Sequence, residues 1–238
     1  VCAGIVGFAD LTIGAAVEDV LAAQVAAGNG RFRGTRYGAG WSESPLINDS
    51  HTNPSEHVYL EPTFRGGFAK LAKFDLSFEA WLYHTHIGDV SSLADAFPDQ
   101  RMVLNHFAGP MAIGPYAGKR DEIFVTWQKD IRELAKRPNV YAKLGGLGMV
   151  LNGYKFEDQP KPPGSELLAD TWRPYFETAI EAFGPDRCMF ESNFPVDKVT
   201  SSYAVYWNCF KRIASGASAE EKRALFHDTA ARFYKLDL

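Results

Sequence analysis

The sequence repeats one pattern along its length: a short apolar run typical of a strand, followed by apolar residues at helical spacing. We count six such runs, and nearly every one leads into a helical pattern. This alternation predicts a parallel sheet whose strands are connected by right-handed crossover helices. No compositional break divides the chain, so a single domain over residues 1–238 is the simplest organisation. The first predicted strand ends at Phe8, and the other five cover 32–37, 76–82, 102–105, 140–144 and 188–190.

The composition predicts a soluble protein that acts on small molecules. The 238 residues are 46% hydrophobic, enough for one sizeable core, and the net charge of -4 comes from interspersed acids and bases. Without a basic patch or a membrane-length apolar run, neither nucleic acid nor a membrane is an expected partner. The widely spaced Cys2, Cys188 and Cys209 fit reduced thiols in the cytoplasm better than disulfides. The sequence leaves the oligomeric state open, a homo-oligomer included.

Polar side chains follow the last predicted strand within a few residues. Glu191, Asn193 and Asp197 come directly after the apolar run 188–190. In parallel α/β folds the ligand binds at the carboxyl ends of the strands, because the loops that leave the strands converge there. The segment therefore predicts an active site. The alternative interpretation is a simple turn at 193–195, with Asp197 as the cap of the next helix.

Four segments resemble motifs of one enzyme family, in the same order along the chain. FESNFPVDK at 190–198 resembles the last-strand motif of the amidohydrolase-related metal-dependent hydrolases. This group contains the aromatic-acid and sugar lactonases. The strand-three, strand-five and strand-six motifs resemble FRGTRY at 32–37, VLNHFAGP at 103–110 and VYAKLGGLG at 140–148. The resemblance implies a (β/α)₈ TIM-like barrel, with a further short strand within 145–164. The alternative is a doubly wound parallel sheet, although no Gly-x-Gly-x-x-Gly loop follows the first strand.

The start of the chain departs from the family pattern. It opens at Val1, without an initiator Met, in an apolar run typical of a buried strand. Nothing before Asp10 matches the His-x-His pair of the family's first barrel strand. We therefore expect that an amino-terminal part is missing and that the barrel lacks its first strand. The resemblance implies one divalent metal ion, zinc or manganese, in the full-length protein, or no metal at all. His106 is the candidate metal ligand among the residues present.

Five histidines can be assigned from their context. His106 follows a predicted strand, where an imidazole can bind metal, transfer a proton or donate a hydrogen bond to a carbonyl. His84 and His86 would share one face if strand alternation continued through them, which is the geometry of a metal pair. Because the family's pair lies on another strand, we expect His84 to contact substrate and His86 to be incidental. His51 and His57, in a loop rich in Gly and Ser, are expected to face solvent.

Asn193 stands where most family members carry the aspartate that takes the proton of the hydrolytic water. An amide cannot act as that base, because it does not protonate near neutral pH. Asp197 is the first candidate to replace it, since the loop after Pro195 could fold the carboxylate back over the strand ends. Glu191 is the second, since alternation would place it on the same face as Asn193.

Three further residues are candidates for substrate binding. Lys143 ends a strand beside the glycines at 145–146, where a substrate could approach the backbone closely, and its cation suits an anionic substrate. Arg36 could fix a carboxylate and Trp81 could stack on a ring. All three could equally pack at the rim of the sheet.

Two functional hypotheses follow. The first is a hydrolase that opens a lactone, or a similar cyclic ester or amide, of a small carboxylated substrate, with the carbonyl polarised by His106 and its cationic neighbours. The Gly- and Pro-rich segment 145–164 would then be a lid or a substrate loop. The second is a decarboxylase-like or non-catalytic relative, in which Asn193 marks the loss of water activation and the protein only binds its ligand.

Overall fold

The computed structural model describes residues 2–236 and contains a parallel sheet of six strands. The strands are β1 (Ile5–Phe8), β2 (Phe32–Gly38), β3 (Ser77–Trp81), β4 (Met102–Leu104), β5 (Val140–Leu144) and β6 (Cys188–Phe190). The helices are α1 (Val17–Ala27), α2 (Pro62–Phe68), α3 (Ile87–Ala96), α4 (Arg120–Leu134), α5 (Ser165–Phe183), α6 (Tyr203–Ile213), α7 (Ala219–Arg223) and α8 (Thr229–Tyr234). No helix within residues 2–236 combines the length and the apolar character that crossing a bilayer needs. Val1, with which the first strand-like run was expected to open, lies outside the described residues.

Each strand pairs in parallel with the next one along the chain, so the order in the sheet is β1-β2-β3-β4-β5-β6. A doubly wound sheet reverses its strand order at a switch point, and that alternative is therefore wrong. The sequential order is consistent with a TIM-like barrel. The segment 145–164 contains turns only, among them the 3₁₀ turns Val150–Asn152 and Phe156–Asp158. The further strand expected there is absent from this segment.

Aromatic side chains fill the layer between the sheet and its helices. Phe68 of α2 packs edge-on against Phe78 of β3, with ring centroids 5.0 Å apart. Trp127 of α4 and Phe176 of α5 both contact Phe107, which follows β4. All five rings are fully buried, and burial of each contributes about 2–3 kcal/mol of hydrophobic free energy. This layer fixes the helices on the outer face of the sheet.

The last helix packs against the opposite, inner face. Val103 and Met189 form a separate apolar cluster with Phe233 of α8, because strand alternation turns them away from the outer layer. The hydroxyl of Tyr234 in the same helix donates a hydrogen bond to the Glu79 carboxylate. Helix α8 therefore partly covers the face on which the charged side chains of the strands lie.

Some local predictions from the sequence are confirmed by the structure, and others are wrong. The capping box that Ser218 and Glu221 predict at the start of α7 is confirmed, with both hydrogen bonds present. A proline inside a helical pattern predicts a kink or a split of the helix. Helix α5 is not split, and it runs uninterrupted through Pro174, because tertiary packing of its aromatic face outweighs one lost hydrogen bond. Ser165 is the first helical residue of α5 and does not cap it. Strand β1 was expected to be buried, but it is half-exposed, and Phe8 is 47% exposed, since β1 pairs only with β2 in the described chain.

Candidate active site

A left-handed turn follows β4 and presents His106. The φ angles of His106, Phe107 and Ala108 are 53°, 56° and 55°, a region that costs a residue with a Cβ about 1–2 kcal/mol. The indole of Trp127 donates a hydrogen bond of 2.7 Å to the Phe107 carbonyl, and the Ala108 amide donates one of 2.9 Å to the Asn105 carbonyl. Backbone strain that the surroundings hold in place in this way is typical of functional sites.

The imidazole of His106 is held from both sides. The residue is 3% exposed; its Nε2 lies 2.8 Å from Nη2 of Arg36, and its Nδ1 binds the Glu191 carboxylate. A guanidinium only donates hydrogen bonds, so Nε2 is the accepting nitrogen and Nδ1 carries the proton that Glu191 accepts. The ring is therefore a neutral imidazole whose lone pair points towards Arg36.

Buried charges of both signs surround this ring. Nζ of Lys143 lies 2.7 Å from Oε1 of Glu79 and 3.8 Å from Oε2 of Glu191. Burial alone would raise the pKa of Glu191, but the neighbouring His106 and Lys143 lower it to about 2. Burial would likewise raise the pKa of Glu79, which Lys143 holds below its usual range. The two carboxylates therefore offset the cations of Lys143 and Arg36, as buried charges require.

Two glycines make room for the histidine and its carboxylate. Gly146 has a φ of +80°, and a Cβ there would lie 2.5 Å from the Cβ of His106. A Cβ at Gly145 would lie 2.1 Å from the carbonyl oxygen of Glu191. The sequence predicts that a substrate approaches the backbone closely at this pair. In the structure the glycines admit His106 and Glu191 instead.

Asn193 and Asp197 form a second polar group, which anchors the loop after β5. The fully buried carboxylate of Asp197 accepts hydrogen bonds from Nδ2 of Asn193 (2.6 Å) and from the Gly148 amide (3.1 Å). Burial raises the pKa of Asp197 to about 7. Its interpretation as a helix cap is wrong, since the carboxylate ties two loops together. Glu191 and Asn193 do not share a face as expected, because β6 ends at Phe190 and the alternation stops there.

The candidates on and after β3 lie in different surroundings. The ring centroid of Trp81 is 5.0 Å from that of His106, which places the indole beside the site. His84 is buried, its Nδ1 accepts a backbone hydrogen bond of 3.2 Å, and burial lowers the pKa of His84 to about 4. Since β3 ends at Trp81, alternation does not put His84 and His86 on one strand face. The ring of His86 packs instead against that of His57, with centroids 5.2 Å apart.

Glu79 and Tyr234 also belong to the charged group around His106, and they are not among the site residues predicted from the sequence. Glu79 accepts hydrogen bonds from Lys143, Tyr234 and Nδ2 of Asn105, the last at 3.2 Å. With Arg36 they help to line a cavity of about 330 Å³, within the size range of small-molecule sites. A glutamate in the middle of an apolar strand was the available signal for Glu79. No sequence signal marks Tyr234.

The surroundings of His106 do not fit a metal ion. Both ring nitrogens have partners, and the guanidinium of Arg36 lies where a cation bound to Nε2 would lie. Lys143 adds a second positive charge near Glu191. A separate group in the described chain has the spacing of metal ligands, with one ligand atom from each residue within 4.8 Å of the others: Glu56, His57 and His86.

Comparison with known proteins agrees with this architecture. The amidohydrolase family model matches residues 1–236. The chain is 39% identical to the uncharacterized protein y4mH of Sinorhizobium fredii, over 98% of this chain and 70% of that protein. It is 31% identical to an L-fucono-1,5-lactonase of Burkholderia multivorans, over 73% of this chain and 56% of that protein. An amidohydrolase from Burkholderia multivorans, solved with bound zinc, superposes with a TM-score of 0.78 at 27% identity, covering 98% of this chain and 74% of that one.

The sequentially ordered α/β sheet and these relatives define a hydrolase with a TIM-like fold. The chain belongs to the amidohydrolase family, whose model matches it through residue 236. The resemblance carried by the four sequence motifs is thereby confirmed.

Proposed function

We propose that this protein opens the ring of a small lactone, or a related cyclic ester, by attack of water, with His106 as the general base. The observation that carries the proposal is the hydrogen-bonded series Arg36, His106 and Glu191. A carboxylate that fixes the tautomer of a histidine is the arrangement that makes Nε2 a base in Ser-His-Asp sites. The relative that bears the name L-fucono-1,5-lactonase supports the substrate class.

The proposed reaction needs one water molecule and no change in oxidation state. Nε2 of His106 takes a proton as the water oxygen bonds to the lactone carbonyl carbon. Glu191 accepts the Nδ1 hydrogen bond and stabilises the imidazolium that forms. The ring carbon–oxygen bond then breaks, and Nε2 returns its proton to the departing alkoxide oxygen. The product is an open-chain hydroxy acid.

Arg36 holds the carbonyl oxygen in this proposal. Its guanidinium has five N–H donors in a planar fork, of which one is directed at Nε2 of His106. When the lactone carbonyl accepts a hydrogen bond from Arg36, Nε2 is released to bind water. The same cation stabilises the negative charge that develops on the carbonyl oxygen in the transition state.

The balance of charge favours an uncharged lactone ring over a carboxylated one. The expectation of a carboxylated substrate rests on Lys143 and Arg36. The Lys143 cation already contacts Glu79 and Glu191. A further carboxylate would leave one buried negative charge without a partner, which is costly. The proposed substrate is therefore a neutral lactone of the size of a sugar acid.

Proton release during hydrolysis of a panel of γ- and δ-lactones of sugar acids tests the proposal. The wild-type protein is expected to hydrolyse at least one of them. The His106→Asn variant should reduce turnover by at least ~100-fold, the usual scale for a positioned base. The matched control is His51→Asn, since His51 is exposed and lies outside the site.

Two results would contradict the proposal. If the wild-type protein hydrolysed none of the lactones, the alternative of a decarboxylase-like or purely ligand-binding relative would stand in its place. If His106→Asn folded normally and kept turnover within threefold of the wild type, another group would have to be the base.

A further inference from the structure

Two segments distant in sequence meet outside the His106 site. The loop between β2 and α2 carries Glu56 and His57, and the turn after β3 carries His86. One ligand atom from each residue lies within 4.8 Å of the others. They help to line a cavity of about 690 Å³, larger than the one beside Arg36. The other lining residues include Trp41, Tyr116 and Lys119.

Each histidine of this group has its Nδ1 in contact with a neighbouring polar side chain. Nδ1 of His57 lies 3.0 Å from Oδ2 of Asp89, and Nδ1 of His86 lies 2.9 Å from the Thr85 hydroxyl. An imidazole that donates its Nδ1 proton presents the Nε2 lone pair on the other side of the ring. Histidines that bind metals usually have such a partner on their second nitrogen, and a carboxylate is a common one.

The remaining ligand atoms converge with room to adjust. Nε2 of His57 lies 3.8 Å from Oε1 of Glu56. Bonds of 2.0–2.2 Å in a tetrahedral site put ligand atoms about 3.5 Å apart. The ligand atoms here lie within 4.8 Å of one another, so metal binding has to shorten the distances between them by about 1 Å. The side chains of Glu56 and His57 are 52% and 53% exposed and can rotate, while His86 is buried and fixes the position.

We propose that Glu56, His57 and His86 bind one divalent transition metal ion, with zinc as the best match for two imidazoles and a carboxylate. Nε2 of both histidines and a carboxylate oxygen of Glu56 are the ligands. The fourth position faces the cavity and holds water. The ion joins the loop before α2 to the start of α3, at a place separate from Arg36, His106 and Glu191.

Metal binding to the intact, chelator-treated protein tests the site. Calorimetric titration with zinc is expected to show one equivalent bound per chain, and zinc should raise the melting temperature. Cobalt(II) serves as a second probe, because its visible absorption reports nitrogen and oxygen ligation directly. Neither readout depends on catalytic activity.

Three substitutions locate the ion: two at the exposed residues Glu56 and His57, and one at Asp89, which is buried. Glu56→Gln and His57→Gln should each weaken zinc binding by at least ~10-fold, and Asp89→Asn should weaken it by about 10–100-fold, the usual effect of losing a carboxylate partner of a ligating histidine. His51→Gln is the matched control, an exposed histidine of the same loop, and should bind zinc as the wild type does.

Three outcomes would overturn the proposal. The first is that wild-type protein binds zinc no more tightly than millimolar. The second is that the double variant Glu56→Gln with His57→Gln binds zinc with unchanged affinity. The third is that binding is lost in His106→Asn and kept in His57→Gln, which would place the ion at the other histidine.

Discussion

The carboxylate of Glu191 binds Nδ1 of His106, although 85 residues separate them in the chain. The two residues follow β6 and β4, and β5 lies between these strands in the sheet. The contact therefore depends on the strand order and on the glycines that follow β5. It fixes the tautomer of His106, from which the proposed chemistry follows.

Glu191→Gln should reduce kcat by about 10²–10⁴-fold. An amide facing Nδ1 can donate instead of accept, which selects the wrong tautomer and removes the charge that stabilises the imidazolium. Steady-state kinetics measure the loss, and nitrogen NMR shifts of the His106 ring report the tautomer. Glu43→Gln, at an exposed position, is the control. Unchanged kcat in Glu191→Gln would mean that Glu191 has only a structural role.

Arg36→Lys should lower kcat/KM by about 100-fold, the scale of a lost oxyanion donor. An ammonium group cannot reproduce the planar fork that reaches both Nε2 and a carbonyl oxygen. Arg33→Lys is a matched control on the same strand, because Arg33 donates to the Gly30 carbonyl at 2.5 Å and does not contact His106. Equal kinetics in both variants would count against the proposed role of Arg36.

Gly146→Ala should lower the free energy of unfolding by about 3 kcal/mol. The new Cβ would lie 2.5 Å from the Cβ of His106, on a backbone with φ of +80°, and both the clash and the left-handed backbone are costly. Urea denaturation measures the change. Gly88→Ala in α3 meets no atom within 4 Å and should stabilise the protein by about 0.5–1 kcal/mol. If Gly146→Ala raised the free energy of unfolding as Gly88→Ala does, the structure would have relieved the clash and the prediction would be wrong.

Asp197→Asn should change how stability depends on pH and leave turnover within about tenfold of the wild type. The folded-state pKa of Asp197 is about 7, above its usual 3.8, so the wild-type protein is most stable, with respect to this group, below pH ~4. That contribution is lost as the pH rises from ~4 to ~7, at about 1.4 kcal/mol for each pKa unit.

Denaturation of wild type and Asp197→Asn between pH 4 and pH 8 tests this sign. The variant has no ionisable group at this position, so its stability should fall less over the same interval. Parallel curves would contradict the raised pKa. If Asp197→Asn folded normally but lost all turnover at every pH, Asp197 would be the first candidate for the general base.

Strand positions could be predicted from the sequence because each strand is a short apolar run between turn residues. The run 188–190 was predicted with the bounds that β6 has, and 140–144 with those of β5. Pro174 was misjudged, because packing of a long amphipathic helix is a tertiary effect. The exposure of Phe8 depends on β1 pairing with β2 alone in the described chain, which the sequence does not show.

The side-chain partners within the site could not be predicted in the same way. Period-two alternation was extended past the ends of β3 and β6, where the backbone leaves the strand. Alternation therefore placed His86 on one face with His84, although its ring packs against His57, and it placed Glu191 beside Asn193. The contact between Arg36 and His106 spans 70 residues, and single-sequence patterns carry no information on such a pair.

The charge balance around His106 also determines the fate of the product. In the proposed reaction, a neutral lactone enters the group formed by Arg36, Lys143, Glu79 and Glu191 without changing its net charge, and ring opening then creates a carboxylate. That new anion would be an excess negative charge, because Glu79 and Glu191 already offset the two cations of this group. Repulsion should speed its departure, so the enzyme should show little inhibition by its own product, even at high conversion.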